Sequence, residues 1–205
     1  MDGTLVDSEP LHEEALVSAL ARQGLTPPPD FHDHIVGRDA REVHRWCQHH
    51  LGLSLPLRDW LRLKYRVYFA TVETLQAREG AVDLFLRLRA AGHPQAVVSN
   101  SDRLVVNANL DAAGINDPGL ITVSRNDVRD GKPGGEPYLR AAWLLGVEPV
   151  DCLVVEDSTT GARAGLAAGM RTLFWPQTDL AAPKGAVAVS SLQDLEAIIL
   201  DESRP

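Results

Sequence analysis

Cysteine is scarce in this sequence, and long apolar runs are absent. Cys47 and Cys152 lie far apart and fit no metal-binding or redox spacing, so both are interpreted as reduced thiols. No apolar run is long enough to cross a membrane, and no secretory signal is recognisable. These absences predict a cytoplasmic protein with no membrane partner.

Basic residues are also few. Lys and Arg number 20 against 28 Asp and Glu, which gives a net charge of -8, and no basic run occurs. This charge argues against nucleic acid as a partner. The remaining composition, 44% hydrophobic and 23% charged in 205 residues, is typical of a globular core domain with a smaller inserted domain.

Helical patterns dominate the first third of the chain after residue 7. The Ser8 hydroxyl can cap a helix, and Glu9 and Pro10 suit its first turn. Further helices are predicted to begin near Asp30, Gly37 and Pro56. Because no convincing strand pattern appears, residues 8–78 are predicted to form an all-helical inserted domain.

From residue 79 onward, strands alternate with helices. The predicted strands are 95–99, 120–123, 152–155, 171–174 and 187–189, and helical patterns separate them. This alternation predicts a parallel sheet covered by helices on both faces, and hence the α/β fold class.

Polar residues stand where these strands end. Ser99-Asn100-Ser101 follows one strand, Glu156-Asp157 follows another, and Gly131-Lys132-Pro133 precedes a helix. Side chains at the carboxyl ends of parallel strands share one edge of the sheet. A hydroxyl, a lysine and carboxylates at one edge suit a phosphoryl group held beside magnesium.

Each of these residues also has an ordinary structural interpretation. Ser99 is a common type of helix cap, and Asp157 or Ser158 can cap the helix that follows. Lys132 can be a solvated surface lysine. The common position of these residues at strand ends favours the phosphoryl site.

With these motifs in this order, the chain resembles the haloacid dehalogenase (HAD) superfamily. Within it, the chain is similar to the group with an α-helical cap, close to the β-phosphoglucomutase and sugar-phosphate phosphatase branch. The matching segments are Asp2-Gly3-Thr4-Leu5-Val6-Asp7-Ser8-Glu9-Pro10, Ser99-Asn100-Ser101, Gly131-Lys132-Pro133 and Glu156-Asp157-Ser158-Thr159-Thr160-Gly161. The resemblance implies a HAD-like Rossmannoid three-layer core from residues 1–7 and 79–205, with an inserted all-α cap over residues 8–78.

The resemblance also implies a magnesium-dependent mechanism through an aspartyl-phosphate. Asp2 matches the acid–base aspartate, whose backbone carbonyl also binds the metal. Ser99 matches the hydroxyl that binds a phosphoryl oxygen, and Lys132 matches the lysine that neutralises charge. Asp157 matches a metal ligand, with Glu156 beside it.

Substrate contacts are expected from Thr4, His12, Arg38 and Asn100. His12 and Arg38 are equally well interpreted as surface residues, whereas Thr4 and Asn100 look more like the phosphatases than the mutases. The expected substrate is a small phosphorylated sugar or sugar acid, and the expected state is a monomer or weak dimer. β-Phosphoglucomutase and a non-catalytic relative that binds a phosphorylated metabolite or a partner protein remain the alternatives.

The chain departs from the family pattern Asp-x-Asp-Gly-Thr at its first position. The nucleophilic aspartate would stand one residue before Met1, and the strand that carries it would also precede Met1. About five buried apolar residues at roughly 1.5–3 kcal/mol each would stabilise the core by about 10 kcal/mol. This is comparable to the stability of a whole domain. The hypothesis is that the natural protein begins several residues earlier, and that the 205-residue chain is poorly stable and inactive.

Overall fold

The computed structural model describes residues 1–35, 38 and 40–202. Its strands are β1 (Val6–Asp7), β2 (Gln76–Ala77), β3 (Ala96–Val98), β4 (Ile121–Val123), β5 (Leu153–Glu156), β6 (Arg171–Phe174) and β7 (Val187–Ala188). Its helices are α1 (Glu9–Ala21), α2 (Phe31–Ile35), α3 (Ala40–Leu51), α4 (Leu57–Thr71), α5 (Ala81–Ala90), α6 (Arg103–Ala112), α7 (Glu136–Leu145), α8 (Thr159–Ala167) and α9 (Leu192–Glu202). Within the described part of the chain, no helix combines the length and the apolar character that a membrane span requires.

The chain divides into two compact units. Residues 8–75 form a helical unit, and residues 1–7 together with the chain from Gln76 onward form a core unit. In the helical unit, α1 to α4 bury apolar side chains in one cluster, in which Leu20, Cys47 and Trp60 are 0% exposed. The helix predicted to begin at Gly37 is described from Ala40, because Gly37 lies outside the described residues.

The stretch predicted to be all-helical contains one short strand. β2 pairs with β1 in antiparallel fashion, with Val6 opposite Ala77 and Asp7 opposite Gln76. The prediction that residues 8–78 hold no strand was therefore wrong at residues 76 and 77. A strand of only two residues shows no alternating pattern, and its partner lies far away in the sequence.

The core unit contains parallel strands covered by helices. β3 pairs with β4, and β5 pairs with β6, which pairs in turn with β7. Successive residues of β5 face opposite sides. Val154 packs in the cluster of α7 and α8 residues, whereas Leu153 and Val155 pack in the cluster of α5 and α9 residues. The predicted HAD-like α/β fold with helices on both faces is confirmed.

Candidate active site

The first turn of the chain lies beside the ends of β3 and β5. The carbonyl of Met1 accepts the backbone N–H of Leu5 at 2.8 Å. Gly3 closes the turn with a φ of 69°, a conformation that favours glycine. This turn directs the side chains of Asp2 and Thr4 toward residues that follow two different strands.

Three side chains donate hydrogen bonds to the carboxylate of Asp2. The hydroxyls of Ser99 and Ser101 donate to Oδ2 at 2.9 and 3.0 Å, and the amide of Asn109 donates to Oδ1 at 3.0 Å. Ser99 is 5% exposed and Asn109 is 0% exposed. The carboxylate of Asp2 is therefore held in a defined position next to the Ser99 hydroxyl.

Asp157 lies against the same first turn. The hydroxyl of Thr4 donates to Asp157 Oδ1 at 2.6 Å. A Cβ atom on Gly3 would lie 2.0 Å from Asp157 Oδ2, so the backbone can approach this closely only as glycine. Burial raises the pKa of Asp157. A nearby cation would stabilise the ionised form of this half-buried carboxylate.

Ser158, and not Asp157, caps α8. The Ser158 hydroxyl accepts the backbone N–H of Gly161 at 3.0 Å. This is the arrangement expected of a serine at a helix N-terminus. The capping interpretation therefore applies to Ser158, and the side chain of Asp157 is directed to Thr4.

Lys132 and Glu156 form a buried ion pair, with side chains 7% and 4% exposed. The ammonium of Lys132 also donates to the carbonyl of Val98 at 3.1 Å, and the Tyr138 hydroxyl donates to the Glu156 carboxylate. Burial alone would raise the pKa of Glu156, but the charge and hydrogen bond of Lys132 hold it below its ordinary value. Burial and the charge of Glu156 raise the pKa of Tyr138. The phenol therefore stays protonated and remains a hydrogen-bond donor. The side chain of Lys132 is therefore buried and not solvated.

Asn100 contacts the backbone of Lys132 in two places. Its Oδ1 accepts the Lys132 N–H at 2.9 Å, and its Nδ2 donates to the Lys132 carbonyl at 3.1 Å. The next peptide bond, to Pro133, is cis. The structure thus places Asn100 where it fixes the loop that carries the lysine.

His12 and Arg38 belong to the helical unit, whereas the other predicted site residues lie in the core unit. The ring of His12 stacks on Tyr68 with centroids 4.4 Å apart. Arg38 is exposed, and its backbone N–H donates to the carbonyl of Ile35 at 3.2 Å. Their substrate roles stay predictions.

Comparison with known proteins identifies the family of this chain. A family model described as a haloacid dehalogenase-like hydrolase matches residues 1–169. The chain belongs to the haloacid dehalogenase-like hydrolases. The predicted family is confirmed.

Relatives of this HAD-like hydrolase include phosphatases and phosphate-bound structures. Hexitol phosphatase A of Escherichia coli (strain K12) is 34% identical over 173 residues, which cover 84% of this chain and 79% of that protein. A HAD family hydrolase from Deinococcus radiodurans R1, crystallised with bound phosphate and sodium, has 30% identity and a TM-score of 0.77, with 99% and 93% of the two chains covered. CbbY from Rhodobacter sphaeroides, crystallised with phosphate, has 25% identity and a TM-score of 0.80, with 96% of each chain covered.

Among the described residues of this HAD-like hydrolase, the carboxylates do not form a three-residue metal cluster. Across residues 1–35, 38 and 40–202, no group of three His, Cys, Asp or Glu side chains is placed to hold a metal ion. Glu156 already pairs with Lys132, whereas Asp157 is half-buried with Oδ2 beside the Gly3 backbone. Carboxylate and carbonyl oxygens at that position suit magnesium. Asp157 therefore fits a metal ligand, and Glu156 fits better as the partner of the lysine.

Two residues of the site were not predicted from the sequence. Asn109 and Tyr138 contact the carboxylates of Asp2 and Glu156. Asn109 did carry a signal, because it is a polar residue among apolar residues on one face of α6. Tyr138 follows the start of α7 in an ordinary amphipathic pattern, so its role depends on the folded contact.

Arg78 is a third residue that sequence analysis missed. Its guanidinium donates to the Gly3 carbonyl at 2.9 Å, and Gln177 donates to the same carbonyl at 2.9 Å. Both side chains thus fix the turn that presents Asp2. An arginine between two predicted helices gives no local signal of this contact.

Proposed function

We propose that this hydrolase is a phosphatase that acts on a small phosphorylated metabolite, either a sugar phosphate or a sugar-acid phosphate. The observation that carries the proposal is the 2.9 Å hydrogen bond between Ser99 and Asp2. This contact supports the proposal, because it would bring an acid–base carboxylate next to a hydroxyl that can bind a phosphoryl oxygen. Support also comes from the relative named hexitol phosphatase and from the two similar structures that contain phosphate.

The proposed reaction has two displacement steps. A carboxylate two positions before Asp2, which would precede Met1, attacks phosphorus. The bond from phosphorus to the leaving oxygen breaks, an aspartyl-phosphate forms, and Asp2 protonates the leaving oxygen. Asp2 then takes a proton from water as that water attacks phosphorus, and the aspartyl–phosphorus bond breaks.

We assign Ser99 and Lys132 the role of binding the phosphoryl oxygens. The ammonium of Lys132 bonds to the carbonyl of Val98, the residue before Ser99, so the two groups stand at the same strand end. The lysine offsets phosphate charge, and the hydroxyl orients one oxygen. Asn100 holds the lysine loop through two backbone hydrogen bonds.

Magnesium is the proposed cofactor. The Asp157 carboxylate and the Asp2 backbone carbonyl would hold it, while Glu156 stays paired with Lys132. Bound there, the ion would supply charge neutralisation to the phosphate ester. Thr4 fixes one oxygen of Asp157 and so keeps the other directed to the first turn.

A phosphate-release screen tests this proposal. The chain is extended before Met1 by an apolar strand that ends in Asp, and it is assayed with hexitol, sugar and sugar-acid phosphates in the presence of magnesium. Asp2→Asn is expected to lower kcat at least about 100-fold, because acid–base assistance is lost. Asp83→Asn, at an exposed position in α5, is the matched control and should retain activity.

Two results would reject the phosphatase. One is an extended chain that releases phosphate from no compound in the panel, which favours a non-catalytic relative. The other is conversion of β-glucose 1-phosphate to glucose 6-phosphate, activated by glucose 1,6-bisphosphate, which identifies a mutase.

A further inference from the structure

One face of α7 carries exposed apolar side chains. The opposite face packs into the core cluster that contains Tyr138, Ala141 and Ala142. On the outer face, Leu139 and Trp143 are 43% and 75% exposed. Because residues four apart are neighbours on a helix surface, these two side chains form a joint apolar patch. Tryptophan is enriched in protein–protein interfaces, so the patch indicates a docking surface.

A groove of about 400 Å³ runs beside this patch, between α7 and α8. We call its lining the α7 face, which consists of Gly135, Glu136, Leu139, Arg140, Trp143 and Ala167. A Cβ atom on Gly135 would lie 2.9 Å from the carbonyl carbon of Ala167, so the start of α7 packs closely on the end of α8. Because these two residues are small, the groove has room there for a side chain from another molecule. Trp143 stands nearer the other end of α7.

The tryptophan and the small residues occupy equivalent positions about the middle of the α7 face. Glu136, next to the small residues, and Trp143 are equally distant from the midpoint between Leu139 and Arg140. They also share one side of the helix, because they are about two turns apart. A second copy whose α7 docks antiparallel, about a two-fold axis through that midpoint, therefore places its Trp143 over Glu136 and the small residues of the first copy. The same symmetry places the tryptophan of the first copy over the second.

The charges on the α7 face fit the same arrangement. Glu136 and Arg140 are opposite in sign and lie about one turn apart. In the antiparallel dimer, Arg140 of each copy is within side-chain reach of Glu136 of the other, so the symmetry forms this ion pair twice. The Glu136 carboxylate is held in place for this contact, because it accepts the backbone N–H groups of Arg129 and Asp130. The face is thus complementary to itself in shape and in charge, which favours a second copy over a different protein.

We propose that the α7 face is a self-docking surface through which two copies of this chain associate. The dimer is two-fold symmetric, its α7 helices are antiparallel, and Trp143 of each copy fills the groove of the other. A contact between two short helices is small, so the dimer belongs to the weak, reversible class. The proposal is independent of the phosphatase reaction and of any metal, because its readout is association.

Sedimentation velocity over a wide range of chain concentrations is the first test. The sedimentation coefficient is expected to rise with concentration toward that of a dimer. Trp143→Ala should raise the dissociation constant at least about tenfold, because a central tryptophan is a typical hot spot. Arg140→Glu should also raise it, since like charges then meet across the axis. The matched control is Leu104→Ala, at a position of α6 that is 69% exposed, and it should associate like the unmodified chain.

Two further outcomes of this test decide the proposal. At a concentration where the unmodified chain is monomeric, Trp143→Ala should unfold at the same temperature, which separates lost docking from lost folding. A chain that stays monomeric throughout the range would overturn the proposal and leave the α7 face to a different partner. Association that Trp143→Ala does not weaken would also overturn it.

Disulfide cross-linking tests the antiparallel arrangement. Leu139 lies next to the proposed axis, so cysteines at this position in the two copies would approach each other. Leu139→Cys, combined with Cys152→Ser, is expected to give a linked dimer on mild oxidation, while Cys47 stays buried at 0% exposure. The control is Leu144→Cys in the same background, because Leu144 is 41% exposed but lies outside the α7 face. Equal yields of linked dimer from the two variants would overturn the proposed dimer.

Discussion

Lys132 donates a hydrogen bond to the carboxylate of Glu156 and another, at 3.1 Å, to the carbonyl of Val98. Val98 ends β3, and Glu156 ends β5. These two strands belong to separate sheets among the described residues. The lysine is thus a side-chain link between the two sheets, and this suggests a role in stability as well as in phosphate binding.

Replacing Lys132 with Met should leave the Glu156 carboxylate buried without its cation. The expected loss of unfolding free energy is roughly 3–5 kcal/mol. Urea denaturation measures it. The double variant Lys132→Met/Glu156→Gln should recover part of the loss, because the buried charge is gone.

The exposed pair of Arg87 and Glu196 is the control, with side chains 58% and 29% exposed. Arg87→Met should cost less than about 1 kcal/mol. If Lys132→Met costs no more than Arg87→Met, the buried pair does not stabilise the core as argued.

Comparison of alanine substitutions at Gly3 and Gly114 distinguishes the cost of backbone strain from the cost of side-chain crowding. Their φ angles are 69° and 70°, but a Cβ on Gly3 would lie 2.0 Å from Asp157 Oδ2, whereas one on Gly114 would meet nothing within 4 Å. Gly114→Ala should cost about 1–2 kcal/mol from the left-handed backbone alone. Gly3→Ala should cost roughly 1–3 kcal/mol more, because Asp157 must move.

Chemical denaturation of the two alanine variants provides the measurement. Adding Asp157→Ala to Gly3→Ala removes the crowded carboxylate and should abolish the extra loss. Equal losses at Gly3 and Gly114 would show that Asp157 does not rest on the first turn.

The regular elements could be predicted because their signals are local. α7 and β6 have the predicted bounds, Glu136–Leu145 and Arg171–Phe174. Two local signals mark the ends of α7: Pro137 near its start, and Gly146, with a φ of 70°, at its end. Neither signal depends on another segment of the chain. β2 was missed because its two residues depend on a distant partner.

The site could be predicted only in outline. Ser99 and Asp157 follow the parallel strands β3 and β5, and the fold class predicts that the carboxyl ends of such strands lie at one rim. The contact of Asn109 with Asp2 depends on how α6 packs, and no sequence spacing specifies it. Similarly, the pairing of Glu156 with Lys132 depends on a loop that could have pointed to solvent.

Asp127 offers a pH-dependent prediction away from the phosphate site. The backbone N–H and hydroxyl of Ser124 donate to its carboxylate at 2.7 and 2.5 Å, and Arg103 forms an ion pair with it. Burial alone would raise the pKa of Asp127, but these hydrogen bonds and the charge of Arg103 hold it below its ordinary value of 3.8. The unfolded chain therefore takes up this proton more readily than the folded chain.

The stabilisation by Asp127 is therefore complete above its ordinary pKa and is lost as the pH falls through its lower folded value. Asp127→Asn should cost about 1 kcal/mol near neutral pH, as expected for loss of a capping interaction. The difference from the unmodified chain should shrink as the pH falls below 3.8. Urea unfolding over this pH range measures it, with Asp83→Asn as the control for an exposed carboxylate. A difference independent of pH would contradict the proposed charge interaction.

Arg78 connects the first turn to the end of β6. Its guanidinium donates to the carbonyls of Gly3 and Trp175 at 2.9 and 2.7 Å, and lies 3.3 Å from the centre of the Trp175 ring. Burial lowers its pKa. A planar group that meets two carbonyls and a ring cannot be replaced by a simple ammonium without loss.

Arg78→Lys should therefore lower the unfolding free energy by roughly 1–2 kcal/mol, and Arg78→Met by roughly 2–4 kcal/mol, because charged hydrogen bonds to buried carbonyls are lost. Urea denaturation gives both values, and hydrogen exchange at residues 3–6 should rise in the same order. Arg163→Met, at an exposed position of α8, should change stability by less than about 0.5 kcal/mol. If the Arg78→Lys variant is as stable as the unmodified chain, the positive charge suffices and the planar geometry of the guanidinium does not fix the turn.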